Sequence, residues 1–193
     1  MKEVLVVILC YFIGAIPFSY LSAQFLAHTD VRARGSGNVG ATNVYRTSGA
    51  WAGLLALAGD VLKGVFVAWL GFTLGGPVLA AICSLAAIIG HCYPVYLKFR
   101  GGKAVATAGG IIFYLMPKVG LILLLLFITT IVFTRYVSLA SIAAAISFPF
   151  LAYLLHYPWQ YTILSVLMML IVVYRHRENI SRLMEGTEAR LWG

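Results

Sequence analysis

Apolar runs close to 20 residues long, repeated along the chain, constrain this sequence more than any other feature. A helix crosses the hydrocarbon core of a bilayer with roughly 17 to 25 apolar residues. The candidate stretches are Val4–Ala27, Ala50–Phe72, Pro77–Tyr93, Ala104–Met116, Val119–Thr134, Val137–Leu155 and Trp159–Tyr174. Backbone inside lipid must satisfy its own hydrogen bonds, which a helix does. The expectation is an all-α integral membrane protein with seven transmembrane helices, forming one domain over 1–193. Composition supports it: the chain is 62% hydrophobic and 10% charged, against roughly 25% charged in soluble domains. The first run has a poor basic region before it and no clear small-residue cleavage site, so it reads as a retained span. Cys10, Cys83 and Cys92 lie in or beside apolar runs without metal-like spacing and read as buried small hydrophobes.

Charge decides the number of spans. The run Ala104–Met116 is short and rich in glycine, so six spans are an alternative. With seven, Arg32, Arg34, Arg46, Lys98, Arg100, Lys103, Arg135, Arg175, Arg177, Arg182 and Arg190 share one side, facing Lys2 and Lys118 on the other. The positive-inside rule selects that arrangement, with the N-terminus outside and the C-terminus cytoplasmic. Every polar cluster then faces the cytoplasm, while the connections near Gly75–Gly76 and His156–Pro158 face outward. Topology alone explains the arginines and lysines, but not the glycines and amides beside them.

Those glycines and amides concentrate in GSGNVGATNVYR, from Gly35 to Arg46. Gly35, Gly37 and Gly40 let the backbone turn and approach a ligand closely. Ser36, Asn38, Thr42 and Asn43 offer short polar groups. A following helix N-terminus favours an anion, and Arg46 adds a guanidinium fork suited to phosphate. The glycines also fit G-x-G-x-x-G, but that fingerprint needs a preceding strand. The P-loop pattern fails because Ala41 stands where it needs lysine. What remains is a phosphate-binding loop at a membrane surface, or a plain flexible turn.

A second cluster is GHCYPVYLKFRGGKAVAT, from Gly90 to Thr107. Pro94 stops the preceding helix. Lys98, Arg100 and Lys103 surround Gly101 and Gly102, a second cationic cradle opening the next span. His91 ends its span as a functional or a structural histidine; with Cys92 it makes a poor nucleophile pair, because adjacent helical residues point apart. Asp60 and Lys63 lie three apart on one helix face, as a simple ion pair or as a brace for the site. Ser138 resembles a helix cap, and Ser141 lies one turn further on. In RHRENISR, the spacing of His176, Asn179 and Arg182 puts imidazole, amide and guanidinium on one helix face; a basic stop-transfer tail explains only the arginines.

The carboxylates Glu3, Asp30, Asp60, Glu178, Glu185 and Glu188 form no obvious metal cluster. Cations, amides, hydroxyls and glycines bind phosphate directly and stabilise a leaving phosphate or an oxyanion. The expected substrates are a small phosphate-bearing molecule and a lipid-soluble partner.

GSGNVGATNVYR, DVLKG, GHCYPVYLKFRGGKAVAT and RHRENISRL, in that order between apolar runs, resemble the bacterial acyl-phosphate:glycerol-3-phosphate acyltransferase family. The resemblance implies a seven-span protein of the bacterial inner membrane. It implies acyl transfer from acyl phosphate to the 1-hydroxyl of glycerol 3-phosphate, giving lysophosphatidic acid and inorganic phosphate. It implies no metal, no cofactor and no coenzyme A thioester; membrane lipids surround the protein and no nucleic acid is a partner. Under this reading Ser36, Arg46, Lys103, His176 and Asn179 hold the phosphates. Gly35, Gly37, Asn38, Gly40, Thr42, Asn43, Lys98, Arg100, Gly101, Gly102, Ser141 and Arg182 complete substrate binding. His91 either orients a loop or accepts the hydroxyl proton; alternatively a substrate phosphate oxygen takes it. A transporter of phosphorylated metabolites is the competing reading, weakened by the absence of a repeat.

Overall fold

A computed structural model describes residues 1–192 as an all-helical chain. Its helices are α1 (Lys2–Ala15), α2 (Phe18–Ala27), α3 (Ala41–Ser48), α4 (Ala50–Cys92), α5 (Val105–Leu115), α6 (Pro117–Thr134), α7 (Val137–Leu154), α8 (Trp159–Arg175) and α9 (Arg177–Met184). Four apolar stretches are long enough to cross a bilayer: Lys2–Ala27, Ala50–Leu97, Pro117–Thr134 and Val137–Leu154. Val105–Leu115 and Trp159–Arg175 are apolar but shorter. Two compact units form, Met1–Tyr114 and Leu115–Gly193.

Several boundaries depart from the sequence expectation. The first apolar run is broken between α1 and α2, because Pro17 has no N–H to continue the ladder. The expected runs Ala50–Phe72 and Pro77–Tyr93 are two helical segments of α4, separated as expected by a kink at Gly75 and Gly76, where helical geometry is lost. Thr42, Asn43 and Arg46 belong to α3 rather than to a loop. Ser138 is not a cap: Tyr136 holds that position and Ser138 is inside α7.

In the first unit, α4 is the axis against which α1, α2 and α3 pack. Val31, Val44, Ala52 and Ala56 join Ala23 in a small core under α3. Gly64 and Gly110 let α4 and α5 meet backbone to backbone. A Cβ at Gly64 would collide with the Thr107 carbonyl, and one at Gly110 with that of Val61. Close crossing of small residues is how helices associate where lipid is as apolar as leucine. Here it brings the polar face of α4 beside Thr107. In the second unit α7 packs against both α6 and α8, and α9 follows α8 after a break at His176.

Candidate functional site

A buried polar network lies at the heart of the first unit. Asp60 and Lys63 pair at 2.7 Å with side chains only 2% and 3% exposed. Each charge at the centre of a bilayer costs roughly 2.5–3.5 kcal/mol on insertion scales, so each is retained only with partners. Ser19 on α2 donates to Asp60 Oδ2 at 2.9 Å. Lys63 donates to the Ile16 carbonyl at 2.9 Å, an acceptor exposed by the break before Pro17. His91 Nδ1 stands 3.5 Å from Asp60 Oδ1 and 3.1 Å from Thr107 Oγ1. The broken first span, the long second helix and α5 are thus held at one point.

Two glycine segments meet above this network. A Cβ at Gly102 would strike both the Nε2 atom of His91 and the carbonyl oxygen of Val39. Val39 lies inside GSGNVG, so the loop before α3 and the loop before α5 are in direct contact. Gly101 and Gly102 donate their N–H groups to the Cys92 and His91 carbonyls, each at 3.2 Å. These bonds satisfy the orphan carbonyls at the end of α4. They clamp the loop just before Lys103 and the start of α5. Lys98, Phe99 and Ala104 take left-handed φ values of 52°, 61° and 61° without being glycine. Such conformations cost of order 1–3 kcal/mol each and cluster at functional sites. A small pocket lies between the segments, lined by Pro17, Val39, Asp60, Lys63, His91 and Gly102 among others.

The first loop is knitted from within by Asn43, which is 2% exposed. Its Nδ2 donates to the Val31, Arg34 and Asn38 carbonyls, and its Oδ1 accepts from the Ser36 N–H at 3.0 Å. Gly35 and Gly37 carry positive φ, the conformation glycine adopts freely. Ser36 and Arg46 lie on the exposed side of this segment, with Asn38, Gly40 and Thr42 half-buried. Asn43 therefore shapes the loop from inside, while Ser36 and Arg46 stand outside it. Lys98 and Arg100 are exposed on the second loop and Lys103 is half-buried.

The second unit gathers its own polar residues around a carboxylate. Asn179 donates to Glu188 Oε1 at 2.6 Å and Arg182 to Oε2 at 2.8 Å. Burial pushes the Glu188 carboxyl up, but Ser138, Asn179 and Arg182 beside it prevail and hold it below its ordinary value. Of these, Ser138 makes no hydrogen bond of full geometry. His176 is buried, with Nδ1 2.8 Å from the Val172 carbonyl. Ser141 spends its hydroxyl on the Val137 carbonyl at 2.8 Å within α7.

The sequence reading missed Ser19, Val39 and Thr107. The signal for Thr107 was a lone hydroxyl in an otherwise apolar run, and for Ser19 a hydroxyl two residues after Pro17. Val39 contributes through its backbone, which no residue type announces.

Known proteins similar to this chain identify its family. The family model described as glycerol-3-phosphate acyltransferase matches residues 4–186. A glycerol-3-phosphate acyltransferase of Syntrophomonas wolfei is 52% identical over 99% of this chain and 98% of its own. One from Moorella thermoacetica is 44% identical over 97% of this chain and 96% of its own. The crystal structure of PlsY (YgiH), an integral membrane glycerol 3-phosphate acyltransferase in its glycerol 3-phosphate form, is also similar. It superposes with a TM-score of 0.95 at 39% identity, covering 100% of this chain and 96% of that one. The lysophosphatidic acid form of the same protein superposes with a TM-score of 0.92 at 38% identity, over 98% and 95% of the two chains. The chain is an integral membrane protein and belongs to the glycerol-3-phosphate acyltransferase family.

Proposed function

We propose that this chain transfers a fatty acyl group from acyl phosphate to the 1-hydroxyl of glycerol 3-phosphate, releasing lysophosphatidic acid and inorganic phosphate. One observation carries the reading: Gly102 abuts both Val39 and His91, so two glycine segments far apart in sequence share a pocket. Cations flank both segments: Arg46 follows the first, while Lys98, Arg100 and Lys103 surround the second. Two loops and two phosphate-bearing substrates match in number and in charge. The crystal forms of PlsY with glycerol 3-phosphate and lysophosphatidic acid support the acceptor and the product.

Acyl phosphate is a mixed anhydride and needs no further activation. The glycerol hydroxyl oxygen attacks the acyl carbonyl carbon, the C–O bond to phosphate breaks, and phosphate leaves with the electron pair. The hydroxyl proton passes to a phosphate oxygen. Rate comes from placing the two anions side by side and from cations that stabilise the leaving phosphate. Ser36, Arg46 and Lys103 supply these contacts, with Gly101 and Gly102 shaping the pocket wall. His91 orients the loop, since its Nδ1 side is engaged by Thr107 and Asp60. His176, Asn179 and Arg182 also serve anion binding: Asn179 and Arg182 already clasp the Glu188 carboxylate.

The catalytic domain spans the whole chain, as the family match over 4–186 supports. It crosses the bacterial inner membrane seven times, N-terminus outside and site toward the cytoplasm. The break at Gly75–Gly76 supports two crossings within α4. α5, with 11 residues, is too short to cross alone, and the half-buried to buried segment Gly101–Ala104 before it completes the depth. Non-helical backbone is tolerated there because protein covers it.

The test is a detergent assay with acyl phosphate and radiolabelled glycerol 3-phosphate. A labelled lipid formed together with inorganic phosphate is the expected result. Label accumulating inside sealed vesicles, with no lipid made, would identify a transporter instead.

A further inference from the structure

Asp60 has more partners than charge balance requires. Lys63 neutralises it at 2.7 Å, and a single ion pair accounts for keeping both charges in an apolar helix. Ser19 nevertheless donates to Oδ2 from α2. His91, at the far end of α4, turns Nδ1 toward Oδ1, and Thr107 on α5 meets that same nitrogen at 3.1 Å. Oδ1 is the oxygen that both Lys63 and His91 face, and Asp60 lines the pocket. A buried carboxylate that gathers neutral partners from separate helices, beyond the cation that balances it, calls for an explanation beyond charge balance.

The explanation lies in the histidine ring. A carboxylate only accepts hydrogen bonds, so a proton on Nδ1 suits the side facing Asp60, and the Thr107 oxygen can accept as well. Nε2, the opposite corner of the ring, faces Gly102 so closely that no Cβ fits between them. The ring cannot swing without moving Gly102 against the Val39 carbonyl, and Lys103 is the next residue. We infer that Asp60, assisted by Ser19 and Thr107, is a positioning residue: it fixes the His91 ring, and the ring fixes the Gly101–Lys103 loop. Ser19 also ties the network to the break at Pro17, so the loop's position is set by three helices rather than by its own sequence.

The kinetic part of the test rests on the acyltransferase reading; the spectroscopic part does not. The variant Asp60→Asn/Lys63→Met removes both charges together. Replacing a buried ion pair by neutral groups is often neutral or stabilising for the fold, so this variant separates stability from positioning. The expected result is a melting temperature close to wild type with kcat/KM lowered roughly 10- to 100-fold, the scale of a misplaced catalytic group. Adding His91→Ala to it should lower kcat/KM little further, because coupled residues are not additive. Ser19→Ala and Thr107→Val each remove one contact without changing charge, and each should lower kcat/KM several-fold with melting unchanged. The ¹⁵N resonances of the His91 ring should shift in the double variant, whether or not turnover is detected. Unaltered ring resonances, or a folded double variant within twofold of wild-type kcat/KM, would overturn the inference. So would silent Ser19→Ala and Thr107→Val variants if the double variant fails to fold. Wild-type protein without acyltransferase activity, but with the ring shift intact, would sink the functional reading and leave the positioning network standing.

Discussion

Two carboxylates, Asp60 and Glu188, each collect cations and neutral polar groups, yet they do so in opposite ways. Glu188 draws on its own neighbourhood, with Asn179 and Arg182 only nine and six residues away. Asp60 recruits Ser19 from 41 residues away, as well as Lys63 and His91. Glu188 borders water only through its partner: its own side chain is 7% exposed and that of Arg182 37%. Asp60 is buried within an apolar helix. The contrast predicts that a carboxylate assembled from its own sequence neighbours is more easily replaced than one assembled from distant helices in a low dielectric.

The sharpest way to break this contrast is Asp60→Asn. It leaves Lys63 buried without its counter-charge, and removing one partner of a buried pair costs about 3–5 kcal/mol. Thermal unfolding in detergent should show a large loss. A change no greater than that of Glu188→Gln would erase the distinction.

Next come the cations at the glycine loops. Lys103→Ala and Arg46→Ala should each lower kcat roughly 10²- to 10³-fold, the cost of losing one group that stabilises developing charge. Both should exceed His91→Ala, which acts through the loop. A dead His91→Ala beside nearly active Arg46→Ala and Lys103→Ala would reverse the assignment of roles.

Asn43→Ala should cost about 1–3 kcal/mol, the penalty for stranding buried backbone groups. Hydrogen exchange should speed up through residues 34–38. Unchanged exchange would mean that the loop holds its shape without Asn43.

Glu188→Gln is the mildest, worth less than about 1 kcal/mol for a partly exposed pair. Its pH dependence is more telling. The folded carboxyl titrates below its ordinary value of about 4.5, so its contribution is complete above that pH and disappears as pH falls through the lowered value. Amide exchange at residues 185–192 should therefore accelerate in acid for wild type, and far less for the variant. Equal acid sensitivity in both would remove Glu188 from the tail's anchoring.

The all-helical membrane fold was legible because apolar length is a property of sequence. Asp60 and Lys63 could be paired from their spacing alone, since three residues is one helical turn. The break at Pro17 was visible as a proline, but its consequence, a carbonyl for Lys63 to bind, was not. Asn43 read as a ligand group, because an amide beside glycines looks the same whether it faces a phosphate or a backbone carbonyl. The meeting of Val39 with Gly102 was illegible: it depends on a carbonyl oxygen and a missing Cβ, set by where helices cross. Left-handed backbone at Phe99 and Ala104 was hidden for the same reason, as neither residue favours it.

Donor choice is where the proposed chemistry can be checked with least ambiguity. Purified chain given glycerol 3-phosphate should form lysophosphatidic acid from acyl phosphate, with one inorganic phosphate released per lipid, and none from an acyl coenzyme A thioester. Efficient use of the thioester, or phosphate released without lipid, would show that the two glycine segments do not serve the reaction described here.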